Sequence, residues 1–278
     1  MTVLVTGSRG KVGSLLVRLL AERGVPVRAG SASPEKLTPP DGVPTVTLAL
    51  DEPATFATAL SGVTSVFLYC DPTHIRQFTA DAVAAGVEHV VVMSADAVLR
   101  ADADTNPIAA PHLAVERALA ASPLTVTTLN CGALASNAAS WAYVLRARGT
   151  VTLPFPDSYA DPIDERDIAE CAYAALTRPE VQGRSYHLTG PASLSFREEV
   201  AVIAEAAGRD IPVQSIPPAV WRAHKPDSMP DDIADALIEL WAASTGPVPL
   251  SRDVETLTGH PARPFSEWAK QNAAAFAA

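Results

Sequence analysis

Apolar and polar positions follow two rhythms along the first 130 residues. Residues 3–6 are a short apolar run with β-branched members, closed by Gly7, which predicts a buried strand. From there Val12, Leu15, Leu16, Leu19 and Leu20 recur at helical spacing on one face, and Gly24 closes the run. Residues 25–29 predict the next strand, so the chain opens with a βαβ unit. The alternation continues. Strands are expected over 45–50, 64–69, 89–94 and 124–129. Helices are expected over 73–85 and 111–121, with another opening on Asp51 as its cap, Pro53 in its first turn and Gly62 past its end. Strands alternating with helices of this length make an α/β fold, a Rossmann-type doubly wound parallel sheet covered on both faces.

After Cys131 the rhythm breaks. A helix over 134–147 precedes a proline-bearing stretch, 150–162. A helix over 164–176 and a strand over 184–189 return to the sheet. Ser195 and Glu198 form a capping box for a helix to residue 207. A strand over 213–216 and helices over 231–243 and 266–276 follow. The expected organisation is a Rossmann core over 1–135, with 163–190 returning to it. Residues 136–162 and 191–278 then form a small C-terminal α/β substrate lobe.

Composition narrows the class. Hydrophobic residues are 48% and charged residues 19% of the 278, enough for a packed core. The net charge of -10 argues against nucleic acid and anionic membrane surfaces as partners. Cys70, Cys131 and Cys171 are widely spaced, without a disulfide or zinc pattern, so no metal is expected. The opening apolar run is too short for a signal-peptide core and no run approaches a membrane span, which points to the cytoplasm. A small-molecule substrate and a monomer or homodimer are expected.

The chemistry begins at Gly7-Ser8-Arg9-Gly10-Lys11-Val12-Gly13. A G-x-x-G-x-x-G turn between strand and helix lets the backbone approach a pyrophosphate, and the helix N-terminus offers it free N–H groups. At the end of the second strand an acid would accept from a ribose 2′-hydroxyl and repel a 2′-phosphate. Here the chain carries Ser31, Ser33 and Lys36, with Arg9 in reach from the loop. That favours NADP(H), with NAD(H) as the other possibility.

The chain resembles the NmrA-like atypical short-chain dehydrogenase/reductases over nearly its whole length. The motifs are residues 5–13, Ala85-Gly86-Val87-Glu88-His89-Val90-Val91, His112-Leu113-Ala114-Val115-Glu116, residues 161–169, Tyr186-His187-Leu188-Thr189-Gly190-Pro191 and Phe265-Ser266-Glu267-Trp268. The resemblance implies a Rossmann core, a C-terminal substrate lobe and a preference for NADP(H). Members of the family include quinone and azo-type reductases, natural-product reductases and redox-sensing regulators. This chain departs from it at Ala32, where many relatives carry arginine, and at Asn130-Cys131-Gly132, where they often read Arg-Pro-Gly.

No Tyr-x-x-x-Lys pair occurs. In its place stand His112 and Glu116, one helical turn apart, with Ser94 at the end of the fifth strand as a second donor. These three are the catalytic candidates; the alternative for His112 and Glu116 is a surface pair that supports its helix. Ligands of open parallel sheets bind beyond the carboxyl ends of the strands. Tyr69, Cys70, Ser94 and Asn130 are therefore cofactor-pocket candidates. Asn130, Trp141, Tyr143, Phe155 and Tyr159 are candidates for the substrate side, with lobe packing as the alternative for each aromatic. The function expected is hydride transfer from NAD(P)H to a small conjugated or aromatic quinone, enone or imine. The alternatives are an NADP(H)-binding redox sensor without turnover and a reductase-derived cyclase or isomerase.

Overall fold

The computed structural model describes residues 1–277. The first half runs β1 (Val3–Val5), α1 (Lys11–Glu22), β2 (Val27–Ser31), β3 (Thr45–Thr47), α2 (Phe56–Leu60), β4 (Ser65–Tyr69), α3 (Ile75–Ala84), β5 (His89–Ala95), α4 (Ala109–Ala120) and β6 (Thr125–Cys131). There follow α5 (Ala139–Arg148), β7 (Val151–Leu153), β8 (Tyr159–Ala160), α6 (Glu165–Thr177), β9 (Ser185–Leu188), β10 (Leu194–Ser195) and α7 (Phe196–Ala207). The chain ends with β11 (Val213–Ser215), α8 (Pro218–Ala223), α9 (Asp231–Ala243), α10 (Asp253–Thr258) and α11 (Phe265–Asn272).

Seven strands form one sheet in the order β3-β2-β1-β4-β5-β6-β9, and every pairing in it is parallel. The chain moves outward from β1 in one direction and then, from β4, in the other. The switch point lies between β1 and β4, where open α/β sheets bind their ligands. Side chains alternate across each strand, so the sheet has two apolar faces. Val3, Val5, Phe67, Val91 and Leu129 pack with α1 and α6, while Leu4, Val66, Leu68, Val90 and Val92 pack with α2, α3 and α4. Phe56 and Phe78 meet edge to face at 5.2 Å inside the second layer. A third core lies away from the sheet, between α5, β7, α7 and α11. In α10, Val254 and Leu257 join the sheet-side core instead, against α6.

Several boundaries differ from the sequence reading. β2 is shifted to Val27–Ser31, and β3 stops at Thr47. Asp51 caps nothing: a 3-10 turn over Pro53–Thr55 leads into α2, and Glu52 holds the cap position without a side-chain bond. β6 runs on to Cys131, which draws Asn130 into the sheet. The small strands β7, β8 and β10 and the six-residue helices α8 and α10 escape the sequence pattern, because such segments hold too few periodic positions. The capping box at Ser195 and Glu198 is present.

Candidate active site

The glycine loop is shaped by close backbone contact. Gly7 has φ +59, and the Gly10 N–H donates to its carbonyl at 2.8 Å. A Cβ on Gly13 would stand 2.5 Å from the Gly7 oxygen and 3.1 Å from the Ser8 Cα, so α1 packs on the loop only because this residue has none. Gly10 is the N-cap and provides no side-chain cap, leaving N–H groups of the first turn to an incoming acceptor. Lys11 occupies the first helical position, which the helix dipole alone disfavours and a bound anion offsets. Arg9 and Lys11 are exposed, and Val12 is buried in the sheet-side core. Ser8 faces inward: its hydroxyl donates to the Val5 carbonyl at 2.7 Å and its N–H to Gly30 at 3.1 Å. The loop thus meets the needs of a dinucleotide pyrophosphate through backbone, helix end and Lys11.

At the end of β2 the buried Ser31 hydroxyl accepts from the Ser33 N–H at 3.1 Å, folding the chain into the turn Pro34–Lys36. Ser33 is half-buried, and Ala32 and Lys36 are exposed. Among the described residues neither Arg9 nor Lys36 is ion-paired, so both charges are open to a ligand. The only acid of this turn is the exposed Glu35.

Beyond the switch point, β-alternation decides the geometry. Val90 and Val92 face the α4 layer, so Ser94 faces it too. Leu129 and Cys131 face the other way, so Asn130 joins Ser94, and in register Ser94 pairs with Asn130 and Asn130 with His187. Ser94 is 3% exposed, and its hydroxyl donates to Glu116 Oε1. Burial raises the Glu116 carboxyl, and the Ser94 bond opposes that only in part. His112 makes no bond to Glu116. Its Nδ1 is buried without a partner, and burial lowers its pKa, favouring the neutral ring. Asn130, 2% exposed, donates from Nδ2 to the Ser185 hydroxyl at 2.9 Å and leaves its Oδ1 buried and unpartnered. Tyr69 is 56% exposed and lies against Gly7. Burial, with Glu116 and Asp71 nearby, pushes the Cys70 thiol up to about 12. Burial also raises Cys131 strongly, so both side chains are held as neutral thiols.

A family model described as NAD(P)H-binding matches residues 7–179, taking in the loop, the switch point and the Ser94–Glu116 pair. The chain belongs to the NAD(P)H-binding family. Within it, this chain is an oxidoreductase. It is 35% identical to a (4-alkanoyl-5-oxo-2,5-dihydrofuran-3-yl)methyl phosphate reductase of Streptomyces griseus subsp. griseus, over 99% of each chain. It is 34% identical to an NAD(P)H azoreductase of Xenophilus azovorans, again over 99% of each. The crystal structure of an NADPH-dependent quinone oxidoreductase from Escherichia coli superposes with TM-score 0.79 at 25% identity, covering 97% of this chain and 98% of that one.

The oxidoreductase's lobe aromatics divide. Trp141 meets Phe196 edge-on at 5.8 Å, Phe196 meets Trp241 at 5.7 Å and Trp241 meets Trp221 at 4.9 Å, a chain of rings through the lobe. Trp141, Trp221 and Trp241 therefore pack the lobe. Phe155 and Tyr159 are half-buried, and Tyr143 is 76% exposed. Sequence reasoning missed Asp161, which is 5% exposed. Its carboxylate accepts from the Ala133 N–H at 3.1 Å and fills the space a Cβ on Gly132 would occupy, 2.2 Å away. The only signal was its place in the Asp161-Pro162-Ile163-Asp164 motif, which named no role for it.

Proposed function

We propose that this reductase uses NADPH to reduce small, flat, conjugated acceptors: quinones, enones or imines. The observation that carries the reading is the Ser94–Glu116 pair at the carboxyl end of β5, two strands from the glycine loop. When bound, the nicotinamide supplies the hydride. The chain's part is to bind, orient and protonate. Glu116, raised by burial, holds a proton more readily than an exposed glutamate; once protonated it donates to Ser94 Oγ, which releases its own hydroxyl proton to the acceptor's oxygen or nitrogen. His112, as a neutral ring, offers a further N–H, and Asn130 Oδ1 awaits a donor. The preference for NADPH rests on Arg9 and Lys36 with the Ser31–Ser33 turn, and on the absence of an acid at the tip of β2. The relatives support the acceptor class, since a dihydrofuranone, an azo compound and a quinone are all unsaturated electron acceptors. We place the protein in the cytoplasm, as a monomer or homodimer, with Phe155 and Tyr159 as the aromatic residues that would face the substrate.

The test is NADPH oxidation against a panel of quinones, enones, azo compounds and imines. At least one acceptor is expected to turn over. Ser94→Ala is expected to lower kcat about 100-fold while leaving the NADPH Kd unchanged, and Glu116→Gln to do the same. Tight NADPH binding with no oxidation of any acceptor would replace this reading with that of a redox sensor.

A further inference from the structure

We propose that Asp96, Asp161 and His187 bind a single first-row divalent cation, with the buried carboxylate of Glu199 facing it from the lobe. Each of the first three offers one donor atom, and these atoms all lie within 4.8 Å of one another. The residues come from four places in the chain. Asp96 follows β5, Asp161 lies between β8 and α6, His187 belongs to β9 and Glu199 to α7.

The donors are prepared for a cation, and among the described residues no lysine or arginine forms an ion pair with them. His187 Nε2 is buried without a hydrogen-bond partner. Asp161 is fixed through the Ala133 N–H, and Gly132 lets its carboxylate in. Glu199 is a second, independent sign. It is 5% exposed, makes no hydrogen bond or ion pair among the described residues, and the charge it faces is that of Asp161. Burial raises both carboxyls, and a neighbouring negative charge adds to each: that of Asp96 for Asp161 and that of Asp161 for Glu199. The charge that acts most on Asp96 is that of His187 within the cluster; Arg100 acts more weakly and is itself ion-paired with Asp102 at 3.0 Å. Buried carboxylates without a base are costly unless a proton or a cation joins them.

The molecule contains its own contrast. Asp167, Glu170 and His260 form a similar cluster, but Arg263 fills it, donating to both carboxylates. Among the described residues no arginine or lysine fills the Asp96 cluster in this way. Two carboxylate oxygens and an imidazole nitrogen suit Mn²⁺, Fe²⁺ or Zn²⁺, and bonds of about 2.0–2.2 Å would draw these donors, now within 4.8 Å of one another, in around the ion. An ion there joins the sheet, through Asp96 and His187, to the lobe, through Glu199. The proposal does not depend on which acceptor is reduced.

The full-length protein is stripped with EDTA and titrated with Mn²⁺ by electron paramagnetic resonance and with Zn²⁺ by calorimetry. One equivalent is expected to bind, with a rise in Tm. Asp161→Asn and His187→Gln are each expected to weaken binding at least about ten-fold. Far-UV circular dichroism and NADPH binding report that each variant is folded. Stripped wild type that is folded and binds neither ion below about 1 mM overturns the proposal. So does a folded Asp161→Asn or His187→Gln variant with unchanged affinity.

Discussion

His89 shows how one side chain can set the acid limit of the whole protein. It opens β5, is 4% exposed, and its Nε2 meets the Thr127 hydroxyl at 2.9 Å while Nδ1 has no partner. Burial lowers its pKa from 6.5 to about 4. The folded state therefore keeps the ring neutral where the unfolded chain binds a proton. Stability is full above about 6.5 and is lost as pH falls towards 4, by roughly 2–3 kcal/mol at pH 4.5. Urea unfolding of His89→Gln at pH 7 and 4.5 is expected to show that much less acid sensitivity than wild type; an equal loss in both would acquit the histidine. The sequence places His89 within a family-like segment but says nothing of its burial. Ser94 was legible as a residue ending a strand, whereas its bond to Glu116 was not, since the two residues are 22 apart and meet only across a layer.

At the scale of elements, the first strand, loop and helix work as one piece. α1 can pack on the loop only without a Cβ at residue 13. Gly13→Ala forces α1 away from the Gly7 carbonyl. We expect a stability loss of about 1–3 kcal/mol and at least a ten-fold weaker NADPH Kd, read by fluorescence titration. Gly24→Ala is the control. Gly24 has φ +71 and nothing within 4 Å of an added Cβ, so this variant costs about 1 kcal/mol and leaves NADPH binding intact. Equal effects on binding would refute the packing argument. This unit was legible because a glycine pattern, a buried strand and an amphipathic helix are all local. α8 and α10 were not, because six residues hold too little periodicity and tertiary contact supplies most of their stability.

For the whole molecule the junction between lobe and sheet matters most. Arg263 lies in the link from α10 to α11. It donates from its side chain to Asp167 and, at 2.6 Å, to Glu170, and from its backbone N–H to Asp167 at 2.7 Å. The Asp167 side chain is fully buried. Arg263→Met leaves that charge buried without its partner, and a loss of about 3–5 kcal/mol is expected in urea unfolding. A loss below about 1 kcal/mol would mean the pair is no more than a surface contact. His260 in the same network acts oppositely to His89. The Pro261 carbonyl and Glu170 raise its pKa, so its contribution is full below about 6.5 and fades as pH climbs through the raised value.

Local periodicity determined the Rossmann sheet and the glycine loop, because strand and helix patterns and the need for missing Cβ atoms are written within a dozen neighbouring residues. The sequence motifs supplied the family resemblance. Which carboxylate serves Ser94, and which acids share a space with His187, depended on packing. Side-chain alternation and strand order bring together residues far apart in the chain, and only the assembled sheet and lobe exclude the water that would otherwise solvate those carboxyls and keep them in the ordinary carboxylate range. The glycine loop was readable before any fold was known; the company kept by Glu116 and Asp161 was not.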